Sequence, residues 1–156
     1  MTASMSAPSP AESRLKIAVI GLGSVGAAAA ACLAMAGRHD VFACVRQPIA
    51  RLTLERPDAG EATDLPLIAL TDPAQAAPAD WVLVCTKTHQ TAALAPWFDR
   101  LCTPATRVAV LQNGIDQVAS VSPLAHGATV MPVIVYYNGE RLAADRVRLR
   151  QAATAI

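Results

Sequence analysis

Apolar positions along the chain fall into short runs separated by longer segments of different spacing, and the alternation predicts strands and helices in turn. Lys16 to Ile20 is a near-continuous apolar run ending at Gly21, which reads as a buried strand. Ser24 to Ala36 follows as an Ala-rich run of helical length, with Gly37 placed to stop it. Asp40 to Val45 carries β-branched and aromatic residues and predicts a second strand. Gln47 to Leu54 suits a short helix, Glu55 to Pro66 a polar loop, and Leu67 to Leu70 a minor strand, with Asp72-Pro73 opening a helical turn. Trp81 to Cys85 and Thr106 to Leu111 read as strands. Between them, Thr88 to Cys102 puts Leu94, Phe98 and Leu101 on one helical stripe. Gly127 to Tyr137 reads as a long strand and the charged stretch Arg141 to Arg150 as an edge strand. No internal repeat is present. Strands alternating with helices predict an α/β fold, a doubly wound, Rossmann-type parallel sheet.

Composition narrows the picture only slightly. The 156 residues suffice for one domain and are too few for a second of similar size. An apolar content of 53% excludes global disorder. A net charge of +1 supplies no basic field, so no nucleic-acid partner is expected. Met1 to Arg14, rich in Ser, Ala and Pro, lacks the apolar centre of a secretory signal. It reads as a disordered tail, 1–14, before a domain over 15–156 in a cytoplasmic protein. Val25 to Ala36 is too short and Ala-rich to cross a bilayer of about 30 Å, so no membrane is expected as a partner. Cys32, Cys44, Cys85 and Cys102 are scattered, which suits free thiols in a reducing compartment and offers no metal-ligand spacing.

The candidate chemistry starts at Gly21, Leu22, Gly23, Ser24, Val25 and Gly26, a G-x-G-x-x-G set between an apolar strand and an apolar helix. Gly21 permits the tight turn, Gly23 lets the backbone approach a pyrophosphate, and Gly26 lets helix and strand pack closely. The helix then presents its unpaired N–H groups and positive dipole end to the phosphates. Twenty residues past Gly26, where NAD-preferring domains carry an acid against the ribose 2′-hydroxyl, stands Arg46. A carboxylate repels a 2′-phosphate and a guanidinium pairs with it, so NADP(H) is the expected cofactor, against the plain reading of a solvated arginine. Past the strand at Trp81 to Cys85 lies T-K-T-H-Q, 86 to 90. There Lys87 is a candidate for the cofactor's adenosine end or for substrate, and His89 reads as a surface histidine rather than an acid or base. Past the next strand lies Q-N-G, 112 to 114, whose Asn113 suits either the nicotinamide ribose or a substrate oxygen, unless it is a simple turn residue.

Taken together, G-L-G-S-V-G at 21 to 26, V-R at 45 and 46, T-K-T-H-Q at 86 to 90 and L-Q-N-G at 111 to 114 resemble the N-terminal half of the ketopantoate reductase family. The likeness runs roughly from Lys16 to Gln151. It implies NADPH-dependent reduction of ketopantoate, a small 2-oxoacid, to pantoate on the way to pantothenate. It further implies pyrophosphate binding by 21–26, a 2′-phosphate contact at Arg46, a cofactor contact at Lys87 with Gln90 completing its motif, and Asn113 beside the nicotinamide ribose. In that family a second, helical domain carries the proton-donating lysine, so no catalytic residue is expected within this chain, whether it is a fragment or a short gene product. Two other readings stay open. One is a related 2-oxoacid or 3-hydroxyacid dehydrogenase, of β-hydroxyacid or opine type. The other is a stand-alone NADP(H)-binding module or subunit without catalysis, self-associating through the face a second domain would cover. An S-adenosylmethionine site would want an acid where Arg46 stands.

Overall fold

The computed structural model describes residues 13–152. In chain order the elements are β1 (Lys16–Ile20), α1 (Ser24–Ala36), β2 (Asp40–Cys44), β3 (Arg51–Glu55), β4 (Thr63–Pro66), β5 (Ile68–Leu70), β6 (Trp81–Val84), α2 (Ala95–Leu101), β7 (Arg107–Val110), α3 (Gln117–Val121), β8 (Thr129–Pro132), β9 (Tyr137–Ala143) and β10 (Arg146–Ala152). Short 3₁₀ turns cover Pro73–Gln75, Thr88–Leu94 and Ser122–Leu124.

Six strands form one parallel sheet in the order β5-β2-β1-β6-β7-β8. Counting only these strands, the order is 3-2-1-4-5-6, the Rossmann arrangement, with its reversal of direction between β1 and β6. Ala18, Ile20, Val82, Val84, Val108 and Val110 face one core with Phe98 and Leu101 of α2 and Val121 of α3. Leu94, Phe98 and Leu101 are buried, as their spacing predicts. The helix there is split, however: Thr88–Leu94 is a 3₁₀ turn and α2 starts only at Ala95. Pro96, lacking an N–H, sits at the start of α2, where no intrahelical donor is needed.

The other face departs most from the sequence expectation. A four-stranded sheet, β4-β3-β10-β9, lies over α1, so the helix is sandwiched between two sheets. Gln47 to Leu54 is therefore not a helix: its second half is β3, with Leu52 and Leu54 buried on one face and Arg51, Thr53 and Glu55 on the other. Glu55 to Pro66 is not all loop, since β4 pairs antiparallel with β3. Gly127 to Tyr137 is two strands, not one. β8 ends at Pro132, on the edge of the sheet where a residue without an N–H is tolerated, its last bond to β7 running from the Val133 N–H to the Val110 carbonyl, and β9 begins at Tyr137. Nor is Arg141 to Arg150 an edge strand. It spans a hairpin in which β10 lies inside the sheet, parallel to β3 and antiparallel to β9. The arginines tolerate this position because acids neutralise them. Glu55 accepts from Arg146 at 2.6 Å and Arg148 at 2.7 Å, while Glu140 accepts from Arg150. The Arg148 bond, followed by that of Arg146, holds the Glu55 carboxyl below its ordinary range. On the opposite face Val147 is fully buried against α1.

α1 meets two sheets closely because its buried residues, Gly26, Ala27, Ala28, Ala30 and Ala31, have almost no side chain. At Gly139 of β9, an added Cβ would lie 2.6 Å from the Ser24 carbonyl oxygen, so the hairpin touches the helix backbone itself. Gly37 ends α1 in the left-handed region at φ 65°, as its position predicts. Residues 1–12 of the expected tail lie outside the described residues. Its last residue, Arg14, is tied down by bonds to Asp40 and to the Gly37 and His39 carbonyls. Among the described residues no helix is long and apolar enough to cross a membrane.

Candidate functional site

The carboxyl ends of β1, β2, β6 and β7 share one edge of the parallel sheet, and the residues singled out in the sequence all lie along it. The three motif glycines differ in what holds them there. Gly21 leaves β1 at φ 89°, donates its N–H to the Cys44 carbonyl at 3.1 Å, and lies so close to Thr86 that a Cβ would meet its methyl at 2.7 Å. Gly26 faces inward: a Cβ would overlap the Gly21 carbonyl oxygen and lie 2.8 Å from the Cys85 Cβ. Gly23 is the opposite case, with no atom within 4 Å of its would-be Cβ. Two glycines are thus required by packing, and the third leaves open space in front of the backbone.

That space lies at the start of α1. Gly23 is the N-cap, no side chain caps the helix, and no acid stands in its first turn. Uncapped N–H groups and the positive end of the helix dipole suit an anion there. The Leu22 side chain is buried in the core, so only its backbone belongs to the turn. Ser24 and Val25 are half-buried in the first helical turn. The Tyr137 hydroxyl of β9 donates to the Val25 carbonyl at 2.7 Å, pinning that turn from the second sheet.

Arg46, Lys87 and Asn113 are exposed just past β2, β6 and β7, and neither cation forms an ion pair among the described residues. Arg46 follows Val45, whose N–H donates to the Leu70 carbonyl and so fixes the strand end. His89 is exposed. The Gln90 side chain accepts the Lys87 N–H at 3.3 Å, so the K-x-x-Q spacing closes its own turn.

Sequence reasoning gave no role to the residue that joins these turns. Gln112 is buried, and its amide contacts the Thr86 hydroxyl at 3.2 Å and the Thr91 hydroxyl at 3.1 Å. Its carbonyl accepts from the Gln117 amide at 2.5 Å. The Thr88 hydroxyl donates to the Asn113 carbonyl at 3.0 Å. A separate shallow cavity of about 230 Å³ lies by the second sheet, lined by Glu55, Arg56, Glu61 and Arg146, away from the strand ends.

Burial governs the thiols. Cys44 and Cys85 are pushed up to about 12 and Cys102 to about 11 from an ordinary 9.0, all by desolvation. Cys32 is raised by the same cause, partly offset by Arg56. An unfolded chain releases these protons above pH 9 while the folded chain keeps them, so stability is intact below pH 9 and declines between about 9 and 12. Each such group contributes about 1.4 kcal/mol of loss per pH unit in that window. Urea unfolding is expected to give a clearly lower midpoint at pH 10.5 than at pH 7.5. Equal midpoints would mean that these thiols ionise as freely in the folded chain as in water.

With this geometry in view, a family model described as ketopantoate reductase PanE/ApbA matches residues 17–156. The chain belongs to that family. A 2-dehydropantoate 2-reductase of Caulobacter vibrioides is 43% identical over 135 residues, covering 86% of this chain and 46% of the relative. One from Mycobacterium tuberculosis is 38% identical over 141 residues, covering 90% of this chain and 47% of the relative. A PanE/ApbA family ketopantoate reductase from Ralstonia eutropha superposes with a TM-score of 0.78 at 28% identity, covering 88% of this chain and 47% of that one. The chain thus spans about half the length of the curated reductases it matches. The family assignment agrees with the resemblance carried by the motifs at 21–26, 45–46, 86–90 and 111–114.

Proposed function

We propose that this chain is the cofactor-binding part of an NADPH-dependent 2-dehydropantoate 2-reductase, which converts ketopantoate, a small 2-oxoacid, to pantoate. The observation that carries the reading is the open backbone at Gly23, set among the exposed Arg46, Lys87 and Asn113 at adjacent strand ends. The nucleotide, when bound, supplies a hydride to the keto carbon. The chain's own residues bind and orient. The turn Gly21, Leu22, Gly23, Ser24, Val25 and Gly26 holds the pyrophosphate on the N–H groups of α1. Arg46 takes the 2′-phosphate, Lys87 contacts the cofactor, and Asn113 holds the nicotinamide ribose.

Reduction of a ketone also needs a proton on the developing alkoxide and a cleft that excludes water. Neither is assigned to a residue of this chain, and we place both in the other half of the reductase. With 2-dehydropantoate present, this chain alone is expected to bind NADPH without oxidising it. Fusion to the remaining half of the Caulobacter relative is expected to restore oxidation. Turnover by the chain alone would overturn the division of labour.

A second reading, a binding module that docks on a partner or on another copy, is favoured by one feature. Ile115, Ile134 and Tyr136 are 95%, 73% and 71% exposed, just past the carboxyl ends of β7 and β8. Apolar surface at that edge suits a covering partner.

A further inference from the structure

We propose that Gln112 is a positioning residue that latches the Lys87 turn to the Asn113 turn, so that the two grip opposite parts of one dinucleotide as a single unit. The proposal rests on the cofactor reading above for its purpose, and on the hydrogen-bond geometry for its existence.

The ladder between β6 and β7 ends at the bond from the Leu111 N–H to the Val84 carbonyl. Beyond that point the two chains separate into turns, with no backbone hydrogen bond between them among the described residues. Gln112 fills this gap with a side chain that is only 5% exposed. The amide lies between two threonine hydroxyls, with Nε2 in reach of both and Oε1 3.3 Å from the Thr91 hydroxyl. The Thr91 hydroxyl has one proton, and its shortest acceptor is the Thr88 carbonyl at 2.8 Å. The Gln112 Nε2 then donates one proton to the Thr91 oxygen and the other to the Thr86 oxygen, so every proton finds an acceptor. Thr86 stands before Lys87, and Thr91 lies within the 3₁₀ turn that follows it, Thr88–Leu94, so one amide holds both flanks of the lysine. On the other strand the same residue's carbonyl is held by Gln117, and Asn113 is its direct neighbour. The Thr88–Asn113 bond adds a second tie between the turns.

A buried amide with both of its N–H bonds made rigidifies its surroundings, and removing it is costly. Gln112 therefore carries mechanical contact between Lys87 and Asn113 without facing ligand itself. Binding at one turn should stiffen the other.

The test is amide hydrogen exchange on the whole chain, read on peptides 86–92 and 111–117, for the parent and for Gln112→Leu, which keeps a similar volume and removes both the N–H donors and the acceptor that the threonine hydroxyls could use. Without ligand, exchange in both peptides is expected to quicken together, roughly fivefold for each hydrogen bond lost, while β1 and β2 remain unchanged. The probe for coupling is 2′,5′-ADP, which has no nicotinamide end. In the parent it should slow exchange in both peptides. In Gln112→Leu it should still slow 86–92 but protect 111–117 much less than in the parent, the Thr88–Asn113 bond being the tie that remains, an effect that general loosening of the fold does not produce. Should Gln112→Leu fail to fold, Thr91→Val removes one latch bond and should give the same pattern in weaker form. Unchanged ligand-free exchange, or equal protection of both turns in parent and variant, overturns the latch. If 2′,5′-ADP does not bind the parent, the cofactor reading fails, and the ligand-free comparison still decides whether the latch exists.

Discussion

Gly26→Ala is expected to destabilise the chain by about 3 kcal/mol or more, whereas Gly23→Ala, three residues earlier in the same motif, should cost about 1 kcal/mol at most. The difference follows from what each new methyl meets. At Gly26 it overlaps the Gly21 carbonyl oxygen and presses on Cys85, the first fixed at the end of β1 and the second, just past β6, by its N–H bond to the Ile20 carbonyl. The gain in helix propensity, about 1 kcal/mol, is too small to offset that overlap. At Gly23 the methyl enters open space at an ordinary φ of −69°, and only the N-cap preference is lost. In thermal unfolding the first variant should lose roughly 6–12 °C and the second only a few degrees. Titration should reverse the order of interest: Gly23→Ala stays folded yet binds NADPH on the order of tenfold more weakly or worse, because the methyl occupies the path of the phosphates. A stable Gly26→Ala chain, or a Gly23→Ala chain that binds normally, would contradict this account of the turn.

Arg46→Ala should weaken NADPH binding by about tenfold or more and leave NADH nearly unchanged, from a charge-assisted bond of ~1.5–3 kcal/mol. Arg46 is exposed, so screening favours the lower end of that range, and the difference between the cofactors should shrink as salt is added. Stability should hardly change, since the guanidinium forms no ion pair among the described residues. Arg46→Asp goes further, because a carboxylate repels the 2′-phosphate and can accept from a ribose hydroxyl, so the preference is expected to move toward NADH. Equal losses for both nucleotides would place Arg46 away from the 2′-phosphate.

How much of this was legible depends on how local each signal is. The β1–Gly21–α1 unit, the stop at Gly37 and the buried stripe Leu94, Phe98 and Leu101 are written in adjacent residues, and the structure has them where the sequence puts them. The second sheet is written in distant ones. β3 is five residues long, and its acid Glu55 pairs with Arg146, 91 positions away, so its two leucines alone could not distinguish a strand from a short helix. One signal was available: α1 has no polar face, and a helix apolar all round must be covered on both sides. The arginines of β10 read as an exposed edge because nothing local showed that Glu55 and Glu140 would neutralise them. The site behaves in the same way. Gly21, Gly23, Gly26, Arg46, Lys87 and Asn113 each follow a strand and could be named from position. The role of Gln112 depends on Thr86 and Thr91, 26 and 21 residues away, and a buried glutamine with its bonds made looks in sequence like any turn residue.

Calorimetric titration of the purified chain with NADPH and with NADH decides whether the glycine turn and Arg46 hold the nucleotide. Saturable binding of NADPH with at least about a tenfold preference over NADH is the expected result. A folded chain that binds neither nucleotide, or binds both equally well, would contradict it.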